Sequence, residues 1–264
     1  MEKKDPEVRM FNCTEQLSTA LAEYVIENSD AAVKERGAFS VVLSGGNLIH
    51  LLRKLTKPPY VRMVDWSKWH VFWAEENIVP KKHPDSFYRQ AKEAFLSKVP
   101  IKSANIFSVT LGVSAEKAME DYEFSIRQVV RNRTVEASLS SDCPRFDLIL
   151  LVLGEDGHVA SLYPDHPLLN EESQWVACVA SEGKESVTLT LPVINSAANV
   201  GIMATGSDVA KSVSMALGNP LPSGSMPAQM VSPRDGNLVW FVDGMAASLL
   251  PGHNEGEGSA TSDS

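Results

Sequence analysis

Two spacings of apolar residues alternate along this chain. Runs such as FSVVL at Phe39–Leu43 and LILLVL inside Phe146–Leu153 have no polar face, the mark of a strand covered on both sides. Between the runs, apolar residues recur every three or four positions, as in a helix with one buried stripe. The pattern predicts strands at Val8–Phe11, Phe39–Leu43, Trp69–Trp73, Phe146–Leu153, Val187–Leu191, Val200–Thr205 and Leu238–Val242. Helices are expected over Thr14–Arg36, closed by Gly37, then over LIHLLRKL, Ser86–Leu96 and Ser114–Arg131, with further helices between and after the later strands. Such alternation favours an α/β fold, a mostly parallel sheet with helices on both faces.

Composition narrows the class of function. A chain of 264 residues with 44% hydrophobic content can bury one large core, and no linker interrupts it before residue 250. A single domain over residues 1–250 is expected, followed by a disordered polar tail, PGHNEGEGSATSDS, at Pro251–Ser264. The net charge of -9 argues against a nucleic-acid partner, which requires a basic face. Cys13, Cys143 and Cys178 are odd in number and widely spaced, so neither a disulfide framework nor a metal site is indicated. The amino terminus has no apolar targeting core and no run is long enough to span a membrane, which points to the cytoplasm.

Candidate chemistry sits where strands end. Phe146–Leu153 runs into Gly154-Glu155-Asp156-Gly157-His158, placing an imidazole and a carboxylate at a strand's carboxyl end, the edge where open α/β sheets bind ligands. The plainer reading is a turn made by two glycines with Asp156 bonded to its own loop. Phe39–Leu43 leads into Ser44-Gly45-Gly46-Asn47 and a helix, a geometry that suits an anion, with Asn47 a candidate N-cap; an ordinary βα turn uses glycine as readily. Glu75 and Glu76 follow the strand ending at Trp73 and could work as paired carboxylates, although solvated glutamates are commoner.

Taken together, VVLSGGNLIHLL, WHVFWAEENIVP with DSFYRQAKEAFLSKVPI, FDLILLVLGEDGHVASLYPDHP, SVTLTLPVINSAANVGIMATG and MPAQMVSPRDGNLVWFVD resemble the 6-phosphogluconolactonase family, especially its plant members. The resemblance implies a Rossmann-like sheet and hydrolysis of 6-phosphoglucono-1,5-lactone to 6-phosphogluconate, in the oxidative pentose phosphate pathway, without metal or organic cofactor. It implies His158 as general base, Asp156 and Gly157 as its setting, and Ser44, Gly45, Gly46, Asn47, Glu75 and Glu76 as substrate-binding residues. The expected partner is a small sugar-phosphate lactone, with no protein partner identified. Against the family's pattern, Asn77, Ser186 and Val209 stand where an Arg, an Arg and a Lys are usual, Phe87 replaces an Asn, and Val152 replaces a Gly. A homologue that binds a sugar phosphate or a protein without turnover is the alternative. A third reading, aminosugar-phosphate deamination or isomerisation, wants a Glu shortly after the His, and Val159–Tyr163 contains none.

Overall fold

A computed structural model describes residues 5–181, 183–218 and 226–251. Its elements are β1 (Glu7–Phe11), α1 (Thr14–Arg36), β2 (Phe39–Leu43), α2 (Leu48–Leu52), β3 (Trp69–Trp73), β4 (Glu75–Asn77), α3 (Phe87–Ala94), α4 (Ala115–Arg131), β5 (Glu136–Ala137), β6 (Pro144–Arg145), β7 (Leu148–Val152), β8 (Val176–Ser181), β9 (Lys184–Leu189), α5 (Leu191–Ile194), β10 (Asn199–Ala204), α6 (Ala210–Val213), α7 (Pro227–Met230) and β11 (Asn237–Asp243). Six strands form a sheet in the order β1-β11-β10-β7-β2-β3, every pair parallel. A smaller antiparallel sheet, β4-β9-β8, continues from the end of β3, and β5 and β6 pair as a short ladder.

Strand alternation explains why β7 reads as unbroken Leu and Ile. Leu148 and Leu150 enter the core layer of α1, α2 and α3, together with Val41, Leu43, Trp73 and Phe241. Ile149 and Leu151 enter the opposite layer with Tyr122, Ile126, Val193 and Trp240, under α4 to α7. Each fully buried side chain of this size contributes roughly 1.5–3 kcal/mol, so both faces must stay covered. Asp147, the polar residue just before β7, is satisfied at the opposite, amino edge: its carboxylate accepts from the Ser40 amide and hydroxyl, both at 2.7 Å, and pairs with Arg36.

Several expectations shift. The sheet region predicted at Val187–Leu191 ends at Leu189, because Thr190 turns the chain into α5 with Pro192 in its first turn. β8 was not foreseen: its VACVAS run is short, half-exposed toward its end, and owes its strand form to pairing with β9. Beyond β11 the chain makes turns through Ala247 and Leu250 instead of the expected helix. Of the tail, residues 252–264 lie outside the described residues. No helix among the described residues is long and apolar enough to cross a membrane.

α1 ends as its sequence suggests, with Gly37 at φ 77° donating its N–H to the Val33 carbonyl. A side chain there meets nothing within 4 Å, so only backbone strain opposes it. Gly37→Ala is expected to lower the unfolding free energy by about 1 kcal/mol in urea titrations, since a left-handed residue other than glycine is strained.

Candidate active site

The strand order places one chemical edge at the centre of the molecule. From β2 the chain proceeds outward to β3, whereas from β7 it proceeds the other way to β10 and β11, so β2 and β7 are neighbours that lead to opposite sides. At such a switch point the loops leaving adjacent strands part and leave a crevice. The loop leaving β7 carries His158, and the loop leaving β2 carries Ser44 to Asn47. Ser44 N–H donates to the Leu150 carbonyl at 3.0 Å, tying the two loops' origins together.

The histidine turn is held almost entirely by backbone. Gly154 N–H donates to the His158 carbonyl at 2.9 Å and Gly157 N–H to the Gly154 carbonyl at 3.0 Å, with Gly157 at φ 87°. The imidazole lies so close to Gly154 that a Cβ there would stand 2.1 Å from the ring, so a side chain at that position would push the imidazole from its place. Asp156 Oδ1 accepts from the His158 amide at 3.0 Å and meets Nδ1 at 2.6 Å. Burial raises the Asp156 carboxyl, but the amide and imidazole of His158 outweigh it and hold the group below its ordinary value. An ionised Asp156 fixes the Nδ1–H tautomer and leaves Nε2 with a free lone pair. The His158 side chain keeps 33% of its surface exposed, and its ring leans on Tyr163, centroids 5.0 Å apart. Two residues on, Ala160 sits at φ 51°, a strained conformation of the kind that gathers at functional sites and that no sequence pattern signalled.

The glycine turn differs from expectation. Gly46 takes φ 65°, but α2 is only five residues long and Asn47 makes no capping bond. Asn47 Nδ2 instead donates to Thr205 Oγ1 at 3.0 Å, drawing the end of β10 to the same edge. Ser44 is 1% exposed and Gly45 is buried, because the Phe87 ring lies directly on Gly45. Val152 and Phe87 both pack against the apolar layer that includes Leu43 and Leu48.

β4 is a strand, so Glu75 and Glu76 point oppositely and are no acid–base pair. Glu75 faces the two loops: Oε1 accepts from Ser44 Oγ at 2.5 Å and Gly45 N–H at 3.3 Å, and Oε2 from Ser161 Oγ at 3.1 Å. It thereby links the glycine turn to the histidine loop, through a serine that sequence reasoning passed over. Cavities of about 560 Å³ lie elsewhere, one beside Asn77, His83 and Lys184 and one among Tyr24, Gln229 and Trp240; His158 and Ser44 line neither. No three His, Cys, Asp or Glu side chains gather as a metal site among the described residues.

A family model described as glucosamine-6-phosphate isomerases/6-phosphogluconolactonase matches residues 12–240. The chain belongs to that family. A probable 6-phosphogluconolactonase 1 of Arabidopsis thaliana is 52% identical over 250 residues, covering 92% of this chain and 93% of the relative. A probable 6-phosphogluconolactonase 1 of Oryza sativa subsp. japonica is 50% identical over 262 residues, 97% of this chain and 88% of the relative. The crystal structure of a 6-phosphogluconolactonase from Thermotoga maritima superposes with a TM-score of 0.74 at 26% identity, covering 90% of this chain and 100% of that one.

Within this family fold Glu76 has a structural duty, which removes it from the candidate substrate-binding residues. It is fully buried and accepts from the amides of Asn77, Phe87 and Tyr88 at 2.8–2.9 Å and from Ser86 Oγ at 3.3 Å, anchoring the start of α3. Burial pushes its carboxyl up to about 6 despite those donors. A carboxyl raised in the folded chain takes up its proton there first, so its contribution to stability is full below about 4.3 and is lost as pH rises through about 6. Relative to Glu76→Gln, which does not titrate, the wild type should therefore gain on the order of 2 kcal/mol in unfolding free energy between pH 7.5 and pH 4.5. Urea titrations of both proteins at the two pH values check this, and a constant difference would contradict it.

Proposed function

We propose that this chain hydrolyses 6-phosphoglucono-1,5-lactone through His158. The observation that carries the reading is the Asp156–His158 pair at the switch-point edge, its imidazole oriented by a 2.6 Å contact and partly open to solvent. Nε2 takes a proton from water as the oxygen attacks the lactone carbonyl, and returns it to the ring oxygen as the C–O bond breaks. The product is a hydroxy acid, which ionises to 6-phosphogluconate. Proton transfer of this kind is worth about 10² to 10⁴ in rate. Ser44, Gly45, Gly46 and Asn47 support the reading as the neighbouring substrate turn, with Gly157 shaping the histidine loop. The names of the relatives at 50% and 52% identity agree with it. A cytoplasmic setting, expected from the sequence, belongs to this reading.

The alternative, a homologue that binds without turnover, is favoured by the positions where the family resemblance implies cations. Val209 is 7% exposed and belongs to the core, and Ser186 is 6% exposed opposite Asn77 in the β4–β9 ladder. Asn77 Nδ2 donates to the Asp85 carbonyl at 2.9 Å. Of the lysines that could compensate, Lys184 lines the cavity beside Asn77, while Lys81 stands 6.0 Å over the Tyr88 ring. Aminosugar-phosphate isomerisation is less well supported, since Ser161 is the polar side chain that the Val159–Leu162 stretch aims at Glu75.

Lactone hydrolysis, corrected for spontaneous opening, should fall to the uncatalysed rate in His158→Ala and by about a hundredfold in Asp156→Asn, which keeps the shape but loses the charge that orients the ring. A wild-type rate equal to buffer would favour the non-catalytic homologue. Asn77→Arg, beside an existing cavity and Lys184, should tighten 6-phosphogluconate binding by about tenfold in calorimetric titration, the worth of one charge-assisted contact.

A further inference from the structure

The inner face of α4 is spent on the core, where Ala118, Tyr122, Ile126 and Val129 are buried. Its outer face is open. Among the described residues Phe124 is the one exposed aromatic side chain, 64% of its surface accessible, and it stands midway along that face. At about 100° per residue, the exposed Glu116, Glu120, Arg127 and Arg131 fall with Phe124 within roughly 80° of arc. Acids therefore precede the ring and bases follow it. That order suits the helix dipole, but the dipole gives no reason for an exposed aromatic ring between them. The ion pairs within the helix are Lys117 with Asp121 at 2.7 Å and Arg127 with Glu123 at 2.6 Å, and Arg127 also lies 4.0 Å over the Trp175 ring. Glu116, Glu120 and Arg131 form no ion pair among the described residues.

We infer that this face docks a second copy of the chain, with two α4 helices antiparallel about a twofold axis at Phe124. A twofold contact is self-complementary, so each position before the axis meets one about equally far beyond it. Phe124 then packs on Phe124 of the second copy. Glu120, four residues before the axis, faces Arg127, three beyond it, and Glu116 faces Arg131 in the same way. The sign order that leaves each helix half charged is the one that pairs it with its own copy. Lys117 also comes near Arg131 of the second copy, but Asp121 neutralises it from within its own helix. An aromatic ring shielded from water by a polar rim is the arrangement of an interface hot spot. One helix pair covers less than the roughly 1,200 Å² of a standard interface, so the dimer is weak, with a Kd of about 10 to 100 μM. This inference is independent of the lactone reading.

Sedimentation velocity of the full chain over about 5 to 500 μM tests it, the wild type passing from monomer toward dimer across that range. Phe124→Ser should weaken self-association by about tenfold or more, and Glu116→Arg and Arg131→Glu by about threefold to tenfold each. The double variant Glu116→Arg/Arg131→Glu exchanges the signs and keeps them complementary, so it should return to within about twofold of the wild-type Kd. A merely solvated helix face would show no such rescue. A wild type that stays monomeric throughout, a Kd changed less than about threefold by Phe124→Ser, or a double variant as weak as its single parents overturns the inference. Should Phe124→Ser not fold, the charge exchange decides alone, since Glu116 and Arg131 are exposed and lie outside the core.

Discussion

The pairing of β2 with β7 is the constraint on which the rest of this molecule depends. Val41, Val42 and Leu43 lie opposite Leu148, Ile149 and Leu150, and all six are at most 1% exposed. A slip of one residue would exchange every one of these side chains between the two core layers, so the register is fixed by burial on both faces at once. Because it is fixed, the turns that begin at Ser44 and Gly154 leave from the carboxyl ends of adjacent strands and cannot drift apart. The chemistry of the edge is built on strands that carry none of it.

That same constraint explains what was legible in the sequence. Apolar runs report burial on two faces, and so the six parallel strands, α1, α3 and α4 could be read within a few residues. β8 and β4 could not, because they owe their form to cross-strand pairing with β9 and not to a run of their own. For the same reason the sequence leaves open whether Glu75 and Glu76 pair. Read as loop, adjacent glutamates share a direction; placed on a strand, one faces the two loops and the other the base of α3. Asn47 shows a related limit, since a side chain suited to capping found a better partner in Thr205, 158 residues along the chain. His158 and Asp156 were legible because their contact is local, two residues apart, and needs only the turn that Gly154 and Gly157 impose.

On the proposed reading, proton transfer and substrate charge fall to different parts of this structure, and that difference governs how they can diverge. The imidazole is placed by backbone hydrogen bonds, a glycine whose Cβ would meet the ring, and an Ala160 at positive φ, so substitutions there would shift the ring. The positions where the family resemblance implies cations lie instead on β4, β9 and the segment before α6, where Asn77, Ser186 and Val209 fit without disturbing either core layer. Interactions equal in the ground and transition states set affinity and leave the chemical step alone, whereas the proposed proton transfer at Nε2 sets the step itself. Side chains at those positions can therefore change while the Asp156–His158 pair keeps its geometry. At Ser44, Glu75 and Ser161 the donors beside that pair are satisfied from within the chain, so the two loops stay tied whichever side chains occupy those positions.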